Sequence, residues 1–174
     1  MSNSVLMQEI TWPDFETKTK ARAPFFLPVG VTEQHGPHLP LGTDVFLPTH
    51  MAKEVAKRIG GVVAPTIPYG YKSQPRSGGG QAFPGTTSLA ANTLTLVVRD
   101  VLHDLALHGV RRFVVVNGHV ENAWPIIEGI DLALRETVTR RLVAELLDGR
   151  LDAAILAQLS LPESVARMRA AGLE

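Results

Sequence analysis

An α/β domain with a mainly parallel sheet is predicted by three observations. Apolar, strand-like runs alternate with stretches of helical spacing. One run, "RRFVVVNG" (111–118), is β-branched and almost wholly apolar, as a strand covered on both faces must be. The 174 residues are enough for one domain with a sizeable core.

Taken in order, "FFLPVG" (25–30) reads as a buried strand. "LPTHMAKEVAKRIG" (47–60) reads as a helix, with Pro48 near its start and Gly60 just past its end. A second strand is expected at "GVVAPTI" (61–67). The segment "PYGYKSQPRSGGGQAFPGTT" (68–87) is longer and richer in glycine and proline than a simple connection requires, which makes it a candidate site loop. In "SLAANTLTLVVRDVLHDLALHG" (88–109), Leu94, Val97, Val98, Val101 and Leu105 share one helical face and Gly109 is the stop. The run 111–118 is expected to be the central strand.

Bulk properties remove several classes of function. Seventeen basic residues balance seventeen acidic ones, so no net field attracts a nucleic-acid backbone or an anionic bilayer. No run approaches the ~18 apolar residues of a membrane span, and the N-terminus lacks a basic segment followed by an apolar one. The expected location is the cytoplasm and the expected partner a small molecule. Cysteine is absent, which excludes disulfides and thiolate chemistry and leaves imidazole and carboxylate as the metal ligands.

Ligands in open α/β sheets bind at the carboxyl ends of the strands. Glu33 and His35 follow the first predicted strand at i, i+2 spacing, and His119 and Glu121 follow the last at the same spacing. In extended chain such pairs point to one side. Asp44, in the turn that closes "VGVTEQHGPHLPLGTD" (29–44), adds a fifth ligand. Five ligands exceed one zinc site with an open position but suit two metals when Asp44 bridges. Three clustered carboxylates repel one another without a cation, so bound metal should stabilise the fold and chelation loosen it. His38 shares the turn but has no partner at ligand spacing, and His50, His103 and His108 fall on predicted helices as surface or helix-end residues. The "SGGG" run (77–80) is not a phosphate-binding fingerprint; it reads either as a flexible loop or as a close backbone approach to a small flat ligand, with Ser77 as a hydrogen-bonding side chain.

The stretches "LPVGVTEQHGPHLPLGTD", "YGYKSQPRSGGGQAFPGTTSL" and "HGVRRFVVVNGHVENAWPIIEGIDLALRE", with "EITW" before them, resemble the creatininase family of metal-dependent amidohydrolases over residues 9–136. The resemblance implies a three-layer α/β/α fold. It implies Glu33, His35, Asp44, His119 and Glu121 as ligands of two divalent ions, zinc with zinc or manganese, with Asp44 bridging. Asp44 and Glu121 are the catalytic carboxylates on that basis, Ser77 matches a substrate-contacting serine, and Val120 stands where creatininase has a tyrosine near the substrate. The implied reaction opens a small cyclic amide, creatinine, by attack of a metal-bridging hydroxide, in a homo-oligomer of hexameric type. Alternatives are another amidohydrolase of the family, acting on a different ring or a formamide, and a catalytically impaired metal-binding remnant.

Beyond residue 136 the resemblance by motif stops. Residues 137–174 read as an atypical helical tail, with Ser160 and Glu163 in capping-box positions, of the kind a frameshift or a gene fragment produces. The family's substrate-covering tryptophans and proton-donating histidine have no counterpart there, so metal binding with slow turnover of creatinine, or none at all, is expected of this chain.

Overall fold

The computed structural model describes residues 4–74 and 80–137, with side chains to residue 134. Its elements are α1 (Trp12–Lys20), β1 (Phe25–Val29), α2 (Thr43–Ile59), β2 (Val62–Val63), α3 (Ala91–Leu107), β3 (Phe113–Asn117) and α4 (Ala123–Thr137). The strands form a parallel sheet in the order β2-β1-β3, with β1 and β3 paired from Phe25–Phe113 to Val29–Asn117.

Alternation along β1 divides the core into two layers. Phe25, Leu27 and Val29 pack with Leu94, Val98 and Leu102 of α3 and with Ile126 and Ile130 of α4. Phe26 faces the other way, into Ala52 and Ala56 of α2. The sheet is therefore covered on both sides, which is the expected three-layer α/β/α arrangement.

Three expectations are corrected. First, β1 is the central strand; among the described residues β3 pairs with β1 alone. β3 is half-buried at the edge, with Val114 and Val116 packed against the α2 layer and Phe113 and Val115 against the α3 layer. Second, the strand expected over 61–67 is regular only at Val62–Val63. Ala64 N–H donates to Phe26 O at 2.8 Å and Ile67 N–H to Pro28 O at 3.0 Å, so three residues advance against two on β1. Such a bulge suits Pro65, which has no N–H to give the ladder. Third, α2 begins four residues earlier than expected, at Thr43, and Pro48 lies inside it.

The remaining elements follow local chemistry. Gly60 ends α2 at φ 71°, a left-handed cap that glycine adopts without strain. The expected helix 88–109 is α3, which ends at Leu107, with Gly109 beyond it at φ 96°. Helices α1 and α4 were not anticipated. α1 starts at Thr11, whose hydroxyl accepts from Asp14 N–H, with a proline in the first turn and Lys18 and Lys20 in the last. Among the described residues no helix is long and apolar enough to cross a membrane. The tail expectation, with its Ser160–Glu163 capping box, lies outside the described residues.

Candidate metal centre

Pro48 explains how Asp44 reaches the sheet. A proline inside a helix cannot donate to the carbonyl four residues earlier, here that of Asp44. That carbonyl sits in the space left by two glycines: a Cβ at Gly30, just after β1, or at Gly118, just after β3, would collide with Asp44 O. The first turn of α2 is thus seated between the carboxyl ends of the two paired strands. Asp44 is held in that turn, where the positive end of the helix dipole favours a carboxylate.

The five predicted ligands line one cavity of 410 Å³, together with Ser73 and Val120. Asp44 contacts imidazoles from both turns. Its Oδ1 lies 3.0 Å from His35 Nε2 and its Oδ2 lies 3.2 Å from His119 Nδ1, so the two oxygens address imidazoles from different turns. His119 Nδ1 is also 3.4 Å from Glu33 Oε1. Ligand atoms of Glu33, His35 and Asp44 fall within 4.8 Å of one another. On the far side of the His119 ring, Nε2 lies 3.3 Å from Glu121 Oε2 without hydrogen-bond alignment, and among the described residues this buried nitrogen has no hydrogen-bond partner.

The pairs reach the cavity by different routes. His119 is extended, but Glu121 lies in a 3₁₀ turn (Val120–Asn122), so simple i, i+2 alternation does not describe the second pair. Glu33 and His35 leave the sheet through a turn in which Glu33 N–H donates to Leu41 O at 3.0 Å and His35 Nδ1 contacts Glu33 O at 3.1 Å.

Of the other predicted site residues, Val120 stands at the mouth, 83% exposed. Ser77 lies outside the described residues. His38, His50 and His108 are exposed, and His103 lies on α3 beside Asp104, all away from the cavity lining. Two residues of the centre were missed. Ser73 is buried and its hydroxyl donates to Glu33 Oε2. Asn122 is completely buried and bonds Tyr71 N–H and Gly30 O. Neither carries a sequence signal of ligand type, because serine and asparagine are ordinary loop residues.

The donor set fits divalent cations. Three carboxylates and two imidazoles converge with no lysine or arginine among the described lining residues, and one buried imidazole nitrogen lacks a partner. Nitrogen and oxygen ligands without sulfur suit zinc or manganese.

Fold and site together define a parallel α/β protein whose strand ends carry a histidine–carboxylate cluster of metalloenzyme composition. Comparison with known proteins gives the family. The sequence model of the Creatininase family, described as creatinine amidohydrolase, matches residues 8–170, and the chain belongs to this family. That match runs past the motif-bearing stretch that ends near residue 136. The chain is 55% identical over 137 residues to creatinine amidohydrolase of Pseudomonas putida, covering 78% of this chain and 53% of that protein. It is 36% identical over 120 residues to a mycofactocin precursor peptide peptidase of Mycobacterium tuberculosis, covering 63% and 45%. A solved mutant creatininase of Zn-Zn type superimposes with a TM-score of 0.76 at 44% identity, covering 90% of this chain and 67% of that one. The chain spans about half the length of the curated relatives it matches.

Proposed function

We propose that this chain carries the two-metal centre of an amidohydrolase acting on a small cyclic amide, with creatinine as the first candidate. The observation that carries the reading is the Asp44 carboxylate, whose separate oxygens face His35 and His119 at 3.0 and 3.2 Å. Each oxygen would thus be available to a different ion. Glu33 and His35 from one turn, with His119 and Glu121 from the other, complete the ligand set. When bound, the ions supply Lewis acidity toward the amide carbonyl and activation of water.

The chain's own residues supply position. Asp44 and Glu121 are the catalytic carboxylates of this reading. Glu121 is set between His119 and the N–H of Gln74, which reaches its Oε1 at 3.4 Å. In the overall reaction water adds across the ring amide: its oxygen joins the carbonyl carbon, the carbon–nitrogen bond breaks, and a proton goes to the departing nitrogen. Val120 at the open mouth meets incoming substrate with an aliphatic face.

Similarity to a peptide peptidase sustains a second reading, hydrolysis of an acyclic amide. Protein reconstituted with zinc, or with zinc and manganese, separates the two when assayed on creatinine, creatine, other small lactams, N-formyl amines and short peptides. Ring opening of creatinine ahead of the other amides is expected. Turnover confined to acyclic amides overturns the cyclic-amide proposal, and metal-loaded protein that turns over no amide replaces it with the impaired metal-binding remnant.

A further inference from the structure

We infer that Asn122 is a positioning residue for the metal centre, clamping together the three chain segments that carry or orient its ligands, with Ser73 as the group through which the clamp reaches Glu33. The inference rests on the dimetal reading above and extends it to residues that are not ligands.

Asn122 is 0% exposed, and a buried amide is costly unless its polar atoms are paired. Each end has its partner. Oδ1 accepts from Tyr71 N–H at 2.7 Å and Nδ2 donates to Gly30 O at 3.0 Å. These partners fix the orientation of the amide, because an N–H requires the oxygen and a carbonyl requires the nitrogen. The backbone N–H of Asn122 donates to His119 O at 3.1 Å and closes the turn that holds His119 and Glu121. Gly70 leaves the necessary gap: a Cβ there would fall on Gly30 O and on the Asn122 amide.

The three tethered segments carry or orient four of the five proposed ligands, while Asp44 is seated separately on α2. Gly30 precedes Glu33 and His35 at the end of β1, and Asn122 follows His119 and Glu121 at the end of β3. Tyr71 begins the short stretch that contains Ser73 and Gln74. From that stretch the Ser73 hydroxyl donates to Glu33 and the Gln74 N–H to Glu121, one contact to a proposed ligand from each turn. Asn122 therefore sets the distance between the two turns and the height of the loop that orients their carboxylates. Aspartate is nearly isosteric but cannot donate to Gly30 O, and it adds a negative charge beside three others.

The experiment compares the full chain with Asn122→Asp, Ser73→Ala and the double variant, with Co²⁺ as the probe. Affinity and the visible absorption band report the site, and melting in chelator reports the metal-free fold. Each single variant is expected to bind Co²⁺ about 10- to 100-fold more weakly, with a shifted band. The double variant should lose little more than the weaker single, because both act along one path. Folded Asn122→Asp with unchanged affinity and band, or losses that simply multiply, overturns the inference. Should Asn122→Asp fail to fold, Ser73→Ala decides alone, and unchanged Co²⁺ binding by it refutes the relay. Failure of the unsubstituted chain to take up Co²⁺ defeats the dimetal reading and this inference with it, whereas uptake unaffected by the substitutions defeats only the inference.

Discussion

Asp44→Asn is expected to reduce bound divalent metal from two ions per chain to one or none and to lower amide hydrolysis by about 1,000-fold, with the fold retained. Asparagine keeps the shape of the side chain but replaces one anionic oxygen with a nitrogen that carries two protons and cannot ligate. The carboxylate faces His35 with one oxygen and His119 with the other, so that exchange removes half of the link between the two ligand groups. A metal ion acting as Lewis acid contributes several kcal/mol to transition-state stabilisation; about 4 kcal/mol at 1.36 kcal/mol per decade gives the stated loss. The cost to the metal-free fold is small, about 0.3–1 kcal/mol of interaction with the N-terminus of α2. Metal content by elemental analysis and turnover under matched loading measure both parts. Full metal content in the variant would show that Asp44 does not bridge.

Gly30→Ala is expected to destabilise the metal-free protein by about 3 kcal/mol and to weaken metal binding. The added methyl falls on Asp44 O and the Cα of Val45, which are backbone atoms of α2 that cannot rotate away. The cost should therefore sit at the upper end of the overpacking range. Relief requires α2 to withdraw from the sheet, and Asp44 withdraws with it. Gly80→Ala is the control, because among the described residues nothing lies within 4 Å of a Cβ there, and its effect should stay within about 0.5 kcal/mol. Urea unfolding in chelator reads the stability, and metal titration of the folded fraction reads the site. Equal stability of the two variants would mean that α2 is not seated as described.

The parts of the fold that were legible in sequence are those whose cause is local. β1 announced itself as an apolar run, and α3 as a helical stripe with Gly109 at its end. Strand order is not local. β3 reads as a central strand because it is almost wholly apolar, yet packing on its faces says nothing about how many neighbours it pairs with along the hydrogen-bonding direction. Pro48 was misplaced for a related reason. Proline usually marks the start of a helix, but here the carbonyl it leaves unbonded sits against Gly30 and Gly118 at the two strand ends. Thr11 with its neighbouring proline was a readable start for α1 that was passed over.

At the site, spacing singled out Glu33, His35, Asp44, His119 and Glu121 as candidates, from two turns that combine imidazole with carboxylate after an apolar strand, and the structure brings the five to one cavity. What orients those side chains was not visible. Ser73 and Asn122 gain their meaning from burial and from partners 40 to 92 residues away, and residue type does not encode either. The turn at Val120–Asn122 likewise replaced the expected alternation while still delivering Glu121 to the cavity.

The most direct test of the account is the metal content of the purified, unsubstituted chain, stripped with chelator and then titrated with Zn²⁺. Uptake of two equivalents, accompanied by a rise in melting temperature, is the predicted result. A chain that stays folded and takes up no zinc would contradict the account at its base, because the convergence of Asp44 on His35 and His119 would then serve no cation.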